Sequence, residues 1–182
     1  MGILGIGSYN NTQQYVRSTP NQNSYNIQKS TSTNITLCLH DEEGNKAINC
    51  VGFPNGGSAS VFKSDTYTED NPQYVVKYWD GSGEEQEKIV NPKEVNPSNA
   101  SYLEMLAYSA YLDEQGYTTN AFSDFTLSAM GTDVSVNYDE TNINEKVDFK
   151  IMVKKFMDMQ YNAGNLAAYL SFKRLFDCMN ES

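Results

Sequence analysis

The segment from Gln73 to Val90 constrains the fold of this chain more than any other. It reads Gln73-Tyr74-Val75-Val76-Lys77-Tyr78-Trp79, then Asp80-Gly81-Ser82-Gly83, then Glu84-Glu85-Gln86-Glu87-Lys88-Ile89-Val90. A run rich in β-branched and aromatic residues, a glycine-containing turn and a second alternating run are the signature of a β-hairpin. A three-residue loop closed by Asp80 and Glu84 sets Lys77 opposite Glu87 and Val75 opposite Ile89, a charge pair and an apolar pair on one face. Tyr74, Val76, Tyr78 and Val90 line the other face, together with Gln86 and Lys88. A slip of one residue would exchange the faces, so the Tyr74, Val76, Tyr78 face is expected to pack on the core.

Asn91-Pro92 and Asn96-Pro97 then stop both ladder and helix. Ser98 or Ser101 can cap the helix that follows; Ser101 with Glu104 forms a capping box, and Gly116 is a natural stop. Leu103, Leu106, Ala107 and Ala110 make one stripe, and Met105, Tyr108 and Leu112 a second. A helix apolar on so much of its circumference is expected to be central, buried between layers. From Tyr117 to Tyr138 the apolar residues Phe122, Phe125, Leu127, Met130, Val134 and Val136 fit a loop with a short helix, or a further strand at Asp133 to Asn137. The helical period returns from Asn144, with Phe149, Met152, Val153, Phe156 and Gln160 inward and Lys150, Lys154, Lys155 and Asp158 on the wet side. Ala163-Gly164-Asn165 permits a break with Asn165 as a new cap, or one long helix through Gly164. Beyond it Leu166, Leu170, Phe172, Leu175, Phe176 and Met179 are assigned to one apolar face.

Toward the N-terminus the pattern predicts a hairpin of Ile35–Leu39 with Lys46–Val51 about the turn at Asp41–Gly44. A breaker follows at Phe53–Ser58, then a short strand at Ala59–Phe62 and a polar loop from Ser64 to Pro72. Residues 1–33, mostly Asn, Gln, Ser, Thr, Tyr and Gly, show no period that defines a buried face. They read as a flexible tail, or as a docking or export segment that folds on a partner. The fold class is therefore α+β: antiparallel hairpins forming a small sheet in the N-terminal half, packed by two to three amphipathic helices from the C-terminal half. Residues 34–182 are read as a single domain, of a size that buries an ordinary core.

Charge narrows the partners. With 13 Lys and Arg against 23 Asp and Glu, the surface repels nucleic acid and anionic membranes. The start Met1-Gly2-Ile3-Leu4-Gly5-Ile6 has no positive segment, its apolar run falls short of the roughly 7–15 residues of a signal peptide, and Ile6 does not match the myristoylation pattern. No stretch approaches about 18 uninterrupted apolar residues. A cytoplasmic location is the expectation, with export by a non-classical or flagellar-type route as the alternative.

Chemistry-bearing motifs are few. Cys38, Cys50 and Cys178 read as reduced thiols; a Cys38–Cys50 disulfide is the alternative, although a loop of Glu42 to Gly44 sets Cys38 opposite Ile48 instead. His40 is the only histidine, so a zinc site would need Cys38, His40 and Cys50, without the paired spacings of structural sites. The chain has no G-x-S-x-G, P-loop or calcium-loop motif, and no cofactor is expected. Acidic residues such as Asp41, Glu42, Glu43, Glu84, Glu85, Glu87, Asp139 and Glu140 serve solubility on turns and strand faces, or supply a hydrolase pair.

Asn96-Pro97-Ser98-Asn99-Ala100-Ser101-Tyr102-Leu103-Glu104-Met105-Leu106-Ala107, the turn Tyr78-Trp79-Asp80-Gly81-Ser82-Gly83 and Met159-Gln160-Tyr161-Asn162-Ala163-Gly164-Asn165 resemble a group of uncharacterised proteins from clostridia and related anaerobes, over about residues 75–180. The resemblance implies a bacterial protein and no activity. The reading reached is a non-enzymatic protein-interaction or assembly module, export- or envelope-associated, whose partner is another protein or a second copy. Its adaptable surface is placed on the methionines Met152, Met157, Met159 and Met179, with Met157 and Met159 as contacts. The alternative is carbohydrate binding, with Trp79, Tyr78 and Tyr74 stacking sugar rings; a hydrolase is third.

Overall fold

A computed structural model describes residues 37–131, 138 and 141–181. Four strands, β1 (Asn49–Gly52), β2 (Ser58–Lys63), β3 (Tyr74–Trp79) and β4 (Glu85–Val90), form an antiparallel sheet in the order β1-β2-β3-β4. A 3-10 turn at Pro92–Glu94 leads to four helices: α1 (Tyr102–Glu114), α2 (Ala121–Gly131), α3 (Phe149–Asn162) and α4 (Leu166–Glu181). This is an α+β architecture with the sheet first and the helices last. The segment assigned to the tail, residues 1–33, lies outside the described residues.

The β3–β4 hairpin adopts the register that its turn dictates, Lys77 opposite Glu87 and Val75 opposite Ile89. Asp80 N donates to Glu84 O and Gly83 N to Asp80 O, each at 3.0 Å; the Asp80 carboxylate accepts from the Ser82 and Glu84 N–H groups. Gly83 takes the left-handed conformation that this loop requires, at φ 88°. Tyr74, Val76 and Tyr78 are fully buried and Val90 nearly so. Lys77 lies 3.9 Å from Glu87 and closer, at 3.2 Å, to Glu85.

The first hairpin differs from expectation. Asp41 N donates to Asn45 O and Ala47 N to Leu39 O, with an isolated bridge between His40 and Lys46. The turn and its register are therefore those read from the sequence, but the strand after it pairs elsewhere: Asn49–Gly52 (β1) ladders with Ser58–Val61 of β2, with Cys50 opposite Ser60. The Pro54–Gly57 turn makes this possible, because it reverses the chain tightly while leaving Phe53 buried against Tyr78 and Tyr102, at ring separations of 5.9 and 5.7 Å. Ile35 and Thr36 lie outside the described residues. A Cβ on Gly57 would sit 2.8 Å from Trp79 O and one on Gly81 2.7 Å from Asn55 O, so glycine is what lets the β1–β2 and β3–β4 turns lie side by side. Cys38, Cys50 and Cys178 are half-buried thiols, and no disulfide joins them.

Helix α1 starts where its capping box predicts. Ser101 Oγ accepts from Glu104 N at 3.3 Å and Glu104 Oε2 from Ser101 N at 2.7 Å, and Gly116 ends it at φ 75°. Both apolar stripes are buried, because α1 packs on β2, β3 and β4 on one side and on α2 on the other. Helix α2 packs in turn on α3 and α4, with Phe125 and Phe149 in edge-to-face contact at 5.2 Å.

The helix count exceeds the two or three expected, since the unassigned stretch after Tyr117 holds α2. The suggested strand at Asp133–Asn137 lies outside the described residues. Helix α3 begins at Phe149 rather than at Asn144, because Asp148 is its cap and accepts from Ile151 N. At Gly164 the chain breaks into two helices.

Candidate functional site

Trp79 and Tyr78 are adjacent on β3, so strand alternation turns them to opposite faces. Tyr78 is fully buried in the core and offers no surface to a ligand. Trp79 is partly exposed, with Nε1 donating to Glu85 Oε2 at 2.9 Å. Tyr74 is also buried, its hydroxyl donating to Glu114 Oε2 at 2.6 Å; burial first, and then the carboxylate, push its pKa above the usual tyrosine value. These three rings form no stacking platform. The strand alternation that turns Tyr74 and Tyr78 inward is the reason.

The methionines divide as well. Met179 is fully buried and Met157 is 8% exposed, so both fill core. Met159 is 47% exposed, but two positions along a helix from Tyr161 it points to a different side of α3.

What the fold does bring together is a patch that sequence reasoning missed. Tyr161 is 63%, Leu166 59% and Leu170 49% exposed. The Tyr161 and Tyr169 rings lie 5.2 Å apart across the α3–α4 hairpin. Tyr169 stands one turn from Leu166, which stands one turn from Leu170. The four side chains are thus contiguous at the hairpin tip. Leu166 and Leu170 do not belong to the buried face of α4, contrary to their assignment. The spacing held the signal: three and four positions back from Phe172 are Tyr169 and Ala168, and Phe172, Leu175 and Met179 are the buried stripe.

The tip is rigidly built. Gly164 N donates to Tyr161 O at 3.0 Å and Asn165 N to Gln160 O at 2.9 Å, the two bonds of a Schellman motif, with Gly164 at φ 72°. The Asn165 side chain then accepts from Ala168 N to start α4 and donates to Gln160 Oε1. On the flanks Lys154 pairs with Asp158 and Lys173 with Asp177. The charge of the segment that carries the helical hairpin departs from that of the rest: residues 37–131 carry 15 Asp and Glu against five Lys, whereas residues 141–181 carry five Asp and Glu against six Lys and Arg.

Away from the tip, a concave feature of about 300 Å³ is lined by polar groups that include Asn91, Glu94, Asn96, Asn99, Glu104 and Lys146. Its central carboxylate is already engaged. Glu104 Oε1 lies 3.1 Å from Lys88 Nζ and 3.3 Å from Lys146 Nζ. Burial alone would raise the Glu104 pKa, but the Ser101 N–H and the two ammonium groups outweigh it and hold it below the usual value. This cluster ties β4, the start of α1 and the segment before α3 together. Cys38 Sγ donates to the His40 carbonyl at 2.9 Å, and among the described residues no group of three His, Cys, Asp or Glu side chains is placed to hold a metal ion. Among them, too, no helix is long and apolar enough to cross a membrane.

Comparison with protein families, curated proteins and solved structures gives no match.

Proposed function

We propose that this is a bacterial, non-enzymatic protein-interaction module whose partner docks on the α3–α4 tip over Tyr161, Leu166, Tyr169 and Leu170. The observation that carries the reading is this contiguous apolar patch on a turn that the Schellman motif holds rigid. Single exposed leucines are ordinary, whereas a patch on the order of a few hundred Å² is often functional. A preformed surface also binds without the entropic cost of ordering itself. Four side chains support a transient contact, since a stable interface engages roughly 20–30 residues on each side. The bacterial setting follows the resemblance to clostridial proteins. A cytoplasmic site of action is part of the proposal, with export as the alternative that cell fractionation separates.

The test is a photo-crosslinking amino acid placed at Leu170, and separately at Glu87 on the sheet, in living cells. A discrete protein adduct from position 170 and none from position 87 is the expected result. The same adducts from both positions, or none from 170, overturns the proposal.

A further inference from the structure

Resting on that reading, we infer that the partner segment docking on the α3–α4 tip is an amphipathic helix whose apolar residues are flanked by carboxylates, one of them pairing with Arg174. Leu166, Leu170 and Arg174 are spaced four apart, which lines them along the outer side of α4 at intervals of about 6 Å. A helix laid along this line presents its own i, i+4 side chains at the same interval, so two apolar anchors and one charge meet their counterparts in a single register. Tyr161 and Tyr169 form an aromatic wall at one end.

The charge of the occupant follows from what is already paired. Lys154 and Lys173 have intrahelical partners in Asp158 and Asp177. Arg174, exposed beside Leu170, makes no ion pair among the described residues. A carboxylate arriving at the end of the ladder gains a contact there without displacing another. The rest of the surface steers the same way: with 15 carboxylates against five lysines in residues 37–131, an acidic segment is repelled from the sheet and admitted over the helical hairpin, where cations are not outnumbered. A second copy of the chain fits less well. It brings a further net charge of −10 to a patch of four side chains, where a stable dimer engages roughly 20–30 residues on each side.

The experiment uses the full chain and two fluorescent synthetic helical peptides of about 18 residues, long enough for a helix of marginal stability. They share leucines at i and i+4 and differ only in carrying Glu or Lys at the flanking positions. Fluorescence anisotropy is expected to show the Glu peptide binding about three- to fivefold more tightly than the Lys peptide, the size of one exposed charge contact. That preference shrinks with added salt and reverses in Arg174→Glu, while Leu166→Glu with Leu170→Glu removes both affinities. Equal binding, or a Lys preference in the unaltered protein, overturns the acidic partner and leaves the interaction reading standing. If neither peptide binds while the crosslink from position 170 still forms, the helical occupant is wrong; if that crosslink fails as well, both readings fall. Light scattering that finds a dimer at micromolar concentration, abolished by Leu170→Glu, makes a second copy the occupant and overturns the inference.

Discussion

The carboxylate of Asp113, in the last turn of α1, closes the first turn of α2 by accepting from Ala121 N at 2.8 Å. Its other oxygen accepts from Phe122 N at 3.0 Å, and Thr118 Oγ1 donates at 2.6 Å to the oxygen that takes Ala121 N. The first N–H groups of a helix have no intrahelical partner, and here one side chain from the preceding helix serves two of them. Asp113→Ala is therefore expected to lower stability by about 1–2 kcal/mol, with Asp113→Asn losing less because one acceptor remains. Urea denaturation measures both; an unchanged midpoint in the alanine variant removes the cap from the account.

That relationship also explains what could be read from the sequence and what could not. Helix α1 was legible because Ser101 and Glu104 cap it from within four consecutive residues, and the β3–β4 hairpin because its register follows from one turn. Helix α2 was not, because the group that starts it stands eight residues upstream of Ala121 and no local pattern marks it. The strand after Lys46 had two possible partners, and the choice fell to burial of Phe53 by residues as distant as Tyr102. At the candidate site Tyr161 and Tyr169 approach only across the hairpin. Leu166 and Leu170 are legible, because their spacing sets them off the stripe of Phe172, Leu175 and Met179.

Glu104 carries a prediction about acid. Its folded pKa is lowered, so it contributes stability that is present above the unfolded carboxyl value and is lost as pH falls through the folded one. Glu104→Gln keeps an oxygen for the Ser101 N–H but leaves Lys88 and Lys146 without a charge partner. It is expected to cost about 1–2 kcal/mol at neutral pH, and the difference from the unaltered protein should close at low pH. Denaturation curves from pH 3 to 7 check this, and a difference independent of pH rejects it.

Met157 and Met159, two residues apart on α3, should respond differently to truncation. Met157 is 8% exposed and Met159 47%. Met157→Ala leaves a cavity in the helical layer and is expected to cost about 2–3 kcal/mol, whereas Met159→Ala should stay within about 0.5 kcal/mol. Comparable losses in the two variants would mean that α3 is rotated from the arrangement described.

Asp124 should run against Glu104. Its carboxyl, 8% exposed as a residue, faces α4 and accepts from Ser171 Oγ at 2.6 Å. Burial raises its pKa above 3.8, the Ser171 bond opposes that rise, and the negative charge of Asp113 adds to it. The folded protein therefore keeps its proton to a higher pH than the unfolded chain does. As pH rises from about 3.8 through the raised folded value, the unfolded state releases its proton first, and stability contributed at this site falls. Asp124→Asn retains an acceptor for Ser171 without the charge. Relative to that variant the unaltered protein should be most stable at the acid end of the window and lose ground toward pH 7, the reverse of the comparison with Glu104→Gln. The same denaturation series in both variants separates the two signs. An Asp124 contribution that grows with pH would place a favourable charge at the α2–α4 contact, and the desolvated carboxyl described there would be wrong.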